Sequence, residues 1–206
     1  MAKYYEEGFD PEDLNIKVSE LLVATADASD ELLDSAVSEV LVLLRERLKM
    51  DVVFVSEFVD GERVFRYVDA EQDPAMMSPG DSDPLEETWC QRVVDGRIPG
   101  LIPNVQAFPG KAQLPPAPFD IGTYISTPVL LGDGNVYGTL CCLSFSPHES
   151  VQERDLKNLK SVAMLVATKI DRAQAQADAE KKKKAEPVVF TLMPERSAAS
   201  WDLKRF

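Results

Sequence analysis

The segment that decides the fold is Gly122 to Phe145, GTYISTPVLLGDGNVYGTLCCLSF. Two apolar runs, rich in Val, Ile, Thr, Tyr and Phe, flank the sequence Gly132-Asp133-Gly134-Asn135. These residue types fit a pleated, half-buried surface, and an Asp-Gly pair between two such runs is a strong hairpin signal. The segment therefore predicts the central hairpin of an antiparallel sheet. Because the residues at both parities of these runs are largely apolar or small, we expect protein layers on both faces of this sheet.

The size and charge of the chain exclude several classes of function. Its 206 residues suffice for one domain, which we place at residues 28–175. An N-terminal arm at residues 1–27 precedes it, and a charged helical extension with an apolar tail follows at residues 176–206. A net charge of −13 repels the phosphate backbone of nucleic acid. No apolar run is long enough to span a bilayer and no signal peptide is recognisable, so we expect a cytoplasmic protein that binds neither nucleic acid nor membrane.

Helical periodicity marks both ends of the predicted domain. From Ser29 to Met50, apolar residues recur at helical spacing, with acids first and bases last, which suits the helix dipole. A second helix is predicted from Val151 to about Ala175 behind a capping box at Ser150–Glu153. It can continue to Lys184, because no helix breaker intervenes.

The middle of the chain predicts a second hairpin and two loops. Asp51 to Phe58 and Glu62 to Val68 read as strands of the same sheet, joined by a turn at Asp60-Gly61. A surface loop follows. The segment Gln106 to Phe119 carries four of the fourteen prolines, which favours a structured loop that walls a pocket.

A short helix is predicted between these loops. Asp83-Pro84-Leu85-Glu86 has an Asp suited to the N-cap, a Pro at the first helical position and a Glu at the third. Gly96 supplies the stop, so a three-turn helix is expected from Leu85 to Asp95. Trp89 faces inward on its wheel, and Cys90 lies on the flank.

Taken together, these segments resemble a GAF domain, the sensor module named after cyclic-nucleotide phosphodiesterases, adenylyl cyclases and a bacterial transcription activator. The resemblance covers Ala28 to Ile170 and is most specific at Ser126-Thr127-Pro128-Val129 followed by Asp133 to Leu140. It implies an α+β fold with a GAF-like central antiparallel β-sheet and terminal helices packed on one face. On the other face it implies a ligand pocket roofed by a helix and a loop, here residues 85–119. Trp89 to Gly96 is similar to a subgroup of bacterial GAF proteins.

The pocket implied by this resemblance predicts a set of ligand-binding residues. Aromatic side chains with a few polar groups are typical of ligand sites, although each aromatic residue alone is equally compatible with a closed core. The predicted set is Trp89, Cys90, Val93, Phe108, Tyr124, Thr127 and Cys142. Neither a general acid–base pair nor a metal-binding cluster stands out, and His148 is the single histidine. We therefore expect a non-catalytic sensory or regulatory module for a small molecule, without predicted catalytic or metal-binding residues.

The alternative functions of this chain depend on Cys90. A thiol beside a pocket is compatible with a redox sensor, a methionine sulfoxide reductase or a tethered bilin. The bilin-binding relatives place His directly after the Cys, whereas Gln91 follows here, which disfavours a bilin and leaves the cofactor unidentified. The Pro-rich loop contains no cysteine, which weakens the reductase alternative. No activating base is evident beside Cys90 in the sequence, which favours a small buried hydrophobe.

Apolar surface on the terminal helices predicts a homodimer. Val42 and Leu43 lie beside the main stripe of the first helix, and the seam of the last helix continues past Ile170 as Ala173 and Ala177. A dimerisation domain with a vestigial pocket is a further alternative. The apolar C-terminal tail either docks on the domain or binds a signalling partner.

Overall fold

A computed structural model of the chain describes residues 30–71 and 77–185. Within these ranges, six strands form one antiparallel sheet in the order β3-β2-β1-β6-β5-β4. The strands are β1 Val52–Val59, β2 Glu62–Ala70, β3 Ser82–Pro84, β4 Leu101–Ile102, β5 Thr123–Leu130 and β6 Val136–Ser144. The α-helices are α1 Asp30–Leu48, α2 Trp89–Val94 and α3 Glu153–Ala185. The predicted α+β fold with a central antiparallel sheet is confirmed.

The sheet separates two apolar cores. One core joins α1 and α3 to inward residues of the strands, among them Val53, Ile125 and Leu140. The other core joins α2 and the Pro-rich loop to the opposite strand face, through residues such as Phe54 and Tyr124. Both faces of the sheet are therefore covered, as the apolar residues at both parities of β5 and β6 predict.

Helix α1 ends in a Schellman motif built on a lysine. Lys49 has a φ of 52°, its N–H donates to Glu46 O at 3.2 Å, and the Met50 N–H donates to Arg45 O at 3.0 Å. Arg45 in the last turn also donates to Asp69 at 2.6 Å. These contacts fix the direction in which the chain enters β1.

Both predicted hairpins form. Asp60 and Gly61 have φ values of 53° and 80°, the left-handed conformations that a two-residue type I′ turn requires. In the β5–β6 hairpin the Asn135 N–H donates to the Asp133 carboxylate at 2.9 Å, and Gly134 has a φ of 85°. Strand β6 pairs with both β5 and β1, which places this hairpin inside the sheet.

The predicted helix from Leu85 to Asp95 is wrong in its first half. Ser82–Pro84 forms β3 against β2, and the Asp83 carboxylate pairs with Arg63 instead of capping a helix. Leu85–Glu87 is a single 3₁₀ turn. The helical N-cap is Thr88, whose hydroxyl accepts from the Gln91 N–H at 3.2 Å. Pairing with a neighbouring strand thus overrides a local capping pattern.

Helix α3 confirms the long C-terminal helix but begins two residues later than predicted. It starts at Glu153, and the Asp155 carboxylate accepts from the Gln152 N–H at 2.8 Å, so the capping contact is displaced from the Ser150–Glu153 pattern. The predicted N-terminal arm and the apolar C-terminal tail lie outside the described residues. No helix in the described ranges has the length and apolar character needed to cross a bilayer.

Candidate functional site

A cavity of about 560 Å³ lies on the sheet face opposite α1 and α3. This volume falls within the range of small-molecule sites. Its floor comes from the sheet, and its walls come from residues 81–92 and from the Pro-rich loop. The lining residues are Phe54, Arg63, Phe65, Met77, Asp81, Asp83, Pro84, Glu86, Glu87, Thr88, Trp89, Arg92, Pro115, Pro116, Ala117, Pro118, Phe119, Ile121, Tyr124 and Leu143.

Aromatic contacts hold the floor and walls of the cavity in place. Phe54 and Phe65 pack edge to face with their ring centroids 5.0 Å apart, and Trp89 and Tyr124 do so at 5.2 Å. The Trp89 indole Nε1–H donates to Pro115 O at 2.8 Å, which ties α2 to the Pro-rich loop. Trp89 and Tyr124 therefore contact each other and also border the cavity.

The structure brings some of the predicted ligand-binding residues to the cavity. Trp89 and Tyr124 line it. Cys90 lies directly behind the lining, fully buried, with its sulfur 3.6 Å from the Tyr124 hydroxyl. Val93 and Phe108 are partly buried against the same core without bordering the cavity.

Thr127 and Cys142 do not reach the cavity, and their predicted placement is wrong. Cys142 belongs to the core beneath α1 and α3. Thr127 lies between Ile125 and Val129, which belong to that same core, so strand alternation directs its side chain there as well. Cys141, the neighbour of Cys142, faces the pocket side instead.

Cys90 and Cys141 form a thiol pair next to the cavity. Their sulfur atoms are 3.6 Å apart, and both residues are fully buried. Ser126 Oγ lies 3.0 Å from the Cys141 sulfur, and Thr139 Oγ1 lies 3.3 Å from it. On its other side the Cys90 sulfur accepts from Arg63 Nη1 at 3.6 Å.

The two thiols differ in acidity. Burial by itself would raise the pKa of Cys90, but the hydrogen bond with Cys141 and the positive charge of Arg63 outweigh it, so this pKa lies well below its usual value. Burial raises the pKa of Cys141, and the hydrogen bond and charge of the neighbouring Cys90 thiolate raise it further. Cys90 is therefore the more acidic member of the pair. Burial also raises the pKa of Cys142 on the other sheet face.

Most of the lining residues were not predicted from the sequence, and among them Arg63 and Arg92 are the two cations. Arg63 is on β2 at the same parity as the buried Phe65, so strand alternation carries a signal for an inward-facing cation. Arg92 follows Trp89 at a helical spacing of three residues, which places both on one side of α2. Either arginine can be predicted from its spacing only if its aromatic neighbour, Phe65 or Trp89, is first recognised as a pocket residue.

Solved structures with the same fold include proteins of different functions. The GAF domain of a phosphoenolpyruvate-protein phosphotransferase from Coxiella burnetii is 18% identical, with a TM-score of 0.62 over 82% of this chain and 99% of that chain. A free methionine-R-sulfoxide reductase from Neisseria meningitidis, solved with its substrate, is 14% identical, with a TM-score of 0.62 over 85% of this chain and 97% of its own. The phycoerythrobilin-bound GAF domain of a cyanobacterial phytochrome is 13% identical, with a TM-score of 0.59 over 82% and 98% of the two chains.

At these identities the structural likeness shows the fold alone, since one fold hosts many functions. A search of curated proteins finds no match. The sequence profile of the GAF domain matches residues 26–171, most of the chain. The residues that carry the earlier resemblance, from Ser126 to Leu140, lie within this match and form the β5–β6 hairpin. The chain therefore belongs to the GAF domain family.

Proposed function

We propose that this chain is a sensory or regulatory module that binds a small molecule in the cavity and signals through its terminal helices. The observation that carries this proposal is the cavity of about 560 Å³ between the sheet and residues 81–121. Aromatic and proline side chains supply an apolar wall, and a few charged groups supply orientation, which is the usual composition of a ligand site. GAF domains are generally regulatory or sensory modules, which agrees with this assignment.

The strands provide a physical connection between the cavity and the helices. In β1, Phe54 lines the cavity while its neighbours Val53 and Val55 pack beneath the helices. In β5, Tyr124 lines the cavity and its neighbour Ile125 packs beneath the helices. A ligand that shifts these strands therefore displaces residues packed directly under α1 and α3, because adjacent residues of a strand serve opposite faces.

The test is a thermal-shift screen of metabolites with a variant that fills the cavity. Ala117 lines the cavity, whereas Ala112 on the same loop is exposed and lies outside the lining. A compound that binds only the folded protein stabilises it by about 2.7 kcal/mol at one hundred times its Kd. We expect Ala117→Trp to abolish this stabilisation and Ala112→Trp to preserve it. Equal responses of the two variants would contradict binding in this cavity.

A cysteine-based redox sensor is the second candidate, favoured by the 3.6 Å separation of the Cys90 and Cys141 sulfur atoms. The Cys90 thiolate attacks one oxygen of a peroxide, the O–O bond breaks, and the released hydroxide takes up a proton to become water. The Cys141 sulfur then attacks the Cys90 sulfenic acid and loses its proton. An S–S bond forms, the S–O bond breaks, and a second water leaves. Two electrons pass from the thiols to the peroxide.

The reductase alternative has a direct assay. Two of the structural neighbours are free methionine-R-sulfoxide reductases, but their identities of 14% and 20% show the fold alone. Turnover of free methionine sulfoxide by the purified protein, abolished in Cys90→Ser, would replace the binding function with an enzymatic one. We expect no such turnover, because the Pro-rich loop beside the cavity has no cysteine.

A further inference from the structure

Two arginine side chains at the cavity have unused hydrogen-bond donors. Among the described residues, the buried side-chain polar atoms without a hydrogen-bond partner are Nε of Arg63 and Nε of Arg92. Both residues line the same cavity. Leaving a buried donor unpaired is unfavourable, especially when the group is charged, because its hydrogen bonds to water are lost without replacement. Native proteins leave few such groups unpaired, so either arginine would gain a hydrogen bond if a small rearrangement turned its guanidinium toward an acceptor in the cavity.

Arg63 is held in position on several sides. Its Nη2 pairs with the Asp83 carboxylate, and its Nη1 donates to the Cys90 sulfur at 3.6 Å. Its guanidinium lies 4.4 Å from the centroid of the Phe65 ring. Because these contacts hold the guanidinium in place, a ligand that binds beside it loses little entropy in ordering this side chain.

The remaining charges of the cavity limit the charge of the ligand. The lining carboxylates are Asp81, Asp83, Glu86 and Glu87. Asp83 is paired with Arg63, and Asp81 accepts from the Ser78 N–H at 2.9 Å, whereas Glu86 and Glu87 are exposed. A dianion would be repelled by this acidic surround, whereas a single negative charge is matched by Arg92, which has no ion pair within the described ranges.

The other lining residues favour a ligand with a flat, apolar body. Phe54, Phe65, Trp89, Phe119 and Tyr124 border the cavity together with prolines of the loop. Aromatic faces stack well on flat apolar groups. We propose that the pocket binds a small organic monocarboxylate with a flat apolar body, whose carboxylate lies against Arg63 and Arg92. This inference rests on the proposed small-molecule function and names the ligand class.

The test compares acids with their amides. Phenylacetate, indole-3-acetate and other aromatic monocarboxylates are titrated by calorimetry against phenylacetamide, indole-3-acetamide and the matching amides. A hydrogen bond to a charged group contributes about 1.5–3 kcal/mol, so an acid is expected to bind about tenfold to a hundredfold more tightly than its amide. The amide retains nearly the shape of the acid, lacks its negative charge and replaces one acceptor oxygen with an NH2 donor.

Arginine variants then locate the carboxylate. Arg92→Gln and Arg63→Gln are expected to weaken acid binding by about tenfold or more without affecting the amides. Arg97→Gln is the matched control, because Arg97 pairs with Asp95 and does not line the cavity. If Arg63→Gln fails to fold, Arg92→Gln still decides the question, since Arg92 has no ion pair within the described ranges.

The outcomes separate this inference from the proposed function. Acids that bind and lose affinity in Arg92→Gln but not in Arg97→Gln support it. Amides that bind as tightly as the acids, or an Arg92→Gln protein that binds acids normally, would overturn the carboxylate inference and leave small-molecule binding intact. A panel in which neither acids nor amides bind, together with a metabolite screen that finds no ligand sensitive to Ala117→Trp, would overturn both.

Discussion

The sulfur atoms of Cys90 on α2 and Cys141 on β6 lie 3.6 Å apart, although 51 positions separate the two residues in the chain. Arg63, which lines the cavity, donates to the Cys90 sulfur. The cavity and the thiol pair thus share one cation, which is positioned to affect both. A change of charge at Cys90 therefore alters what Arg63 can offer to a ligand.

The short distance between the Cys90 and Cys141 sulfur atoms predicts that peroxide oxidises these two cysteines selectively. On treatment with hydrogen peroxide we expect Cys90 and Cys141 to form a disulfide while Cys142 remains a thiol, because Cys142 lies in the other core with a raised pKa. Peptide mapping by mass spectrometry measures the outcome. Cys142→Ser is the matched control and should oxidise like the wild type, whereas Cys141→Ser should stop at the sulfenic acid of Cys90. Full retention of all thiols would remove the redox candidate and leave the binding function standing.

The lowered pKa of Cys90 predicts a dependence of stability on pH. Because this pKa is lower in the folded than in the unfolded protein, the Cys90 thiolate stabilises the fold above the unfolded pKa of about 8.5. That contribution is lost as the pH falls through the folded pKa. Each unit of pKa depression is worth about 1.4 kcal/mol.

Urea unfolding of the wild type and of Cys90→Ser at a series of pH values measures this contribution. The difference in unfolding free energy should shrink steadily from alkaline to acidic pH. The same comparison with Cys142→Ser should stay flat on the acidic side, since the Cys142 pKa is raised. A wild-type advantage over Cys90→Ser that does not change with pH would contradict a thiolate at Cys90.

The close approach of β1 and β6 predicts that Gly138 cannot be replaced. A Cβ at this position would lie 1.9 Å from Ser56 O, so the strands would have to separate. We expect Gly138→Ala to lower the unfolding free energy by about 1–3 kcal/mol or more, the cost of overpacking a core. Gly132→Ala is the control, because its Cβ would meet only the flexible Asp171 carboxylate at 3.3 Å. Equal stability of the two variants would show that β1 and β6 can separate at little cost.

The terminal helices predict a homodimer. Met164 on α3 is 71% exposed, and Val42 and Leu43 on α1 are half-buried, which leaves apolar helix surface for a second copy to cover. Light scattering should find dimers both for the full chain and for a protein ending at Lys184. Met164→Glu should weaken the dimer, whereas Leu130→Glu, which alters an exposed apolar side chain on a strand, should not. A full-length monomer that dimerises only after truncation would identify the tail as the cover of this surface.

The sequence by itself determined the hairpins, the long helices and the family. Asp60-Gly61 and the turn at Asp133-Gly134 act within a few residues, and periodicity within one helix needs no information from elsewhere in the chain. Trp89 and Tyr124 could be predicted as pocket residues, because aromatic residues in the roof and floor elements are typical of such sites.

Tertiary structure alone decided which face each cysteine takes and what activates Cys90. Alternation separates Cys141 from Cys142, but only the packing of α1 and α3 on one side of the sheet determines which of them meets the pocket core. Arg63 on β2 and Cys90 on α2 are 27 positions apart in the chain. Only the packing of α2 against the sheet brings them into contact. The pairing of β3 with β2 also places Asp83 beside Arg63 and leaves Thr88 to cap α2, so pairing with a neighbouring strand overrides the local capping pattern at Asp83.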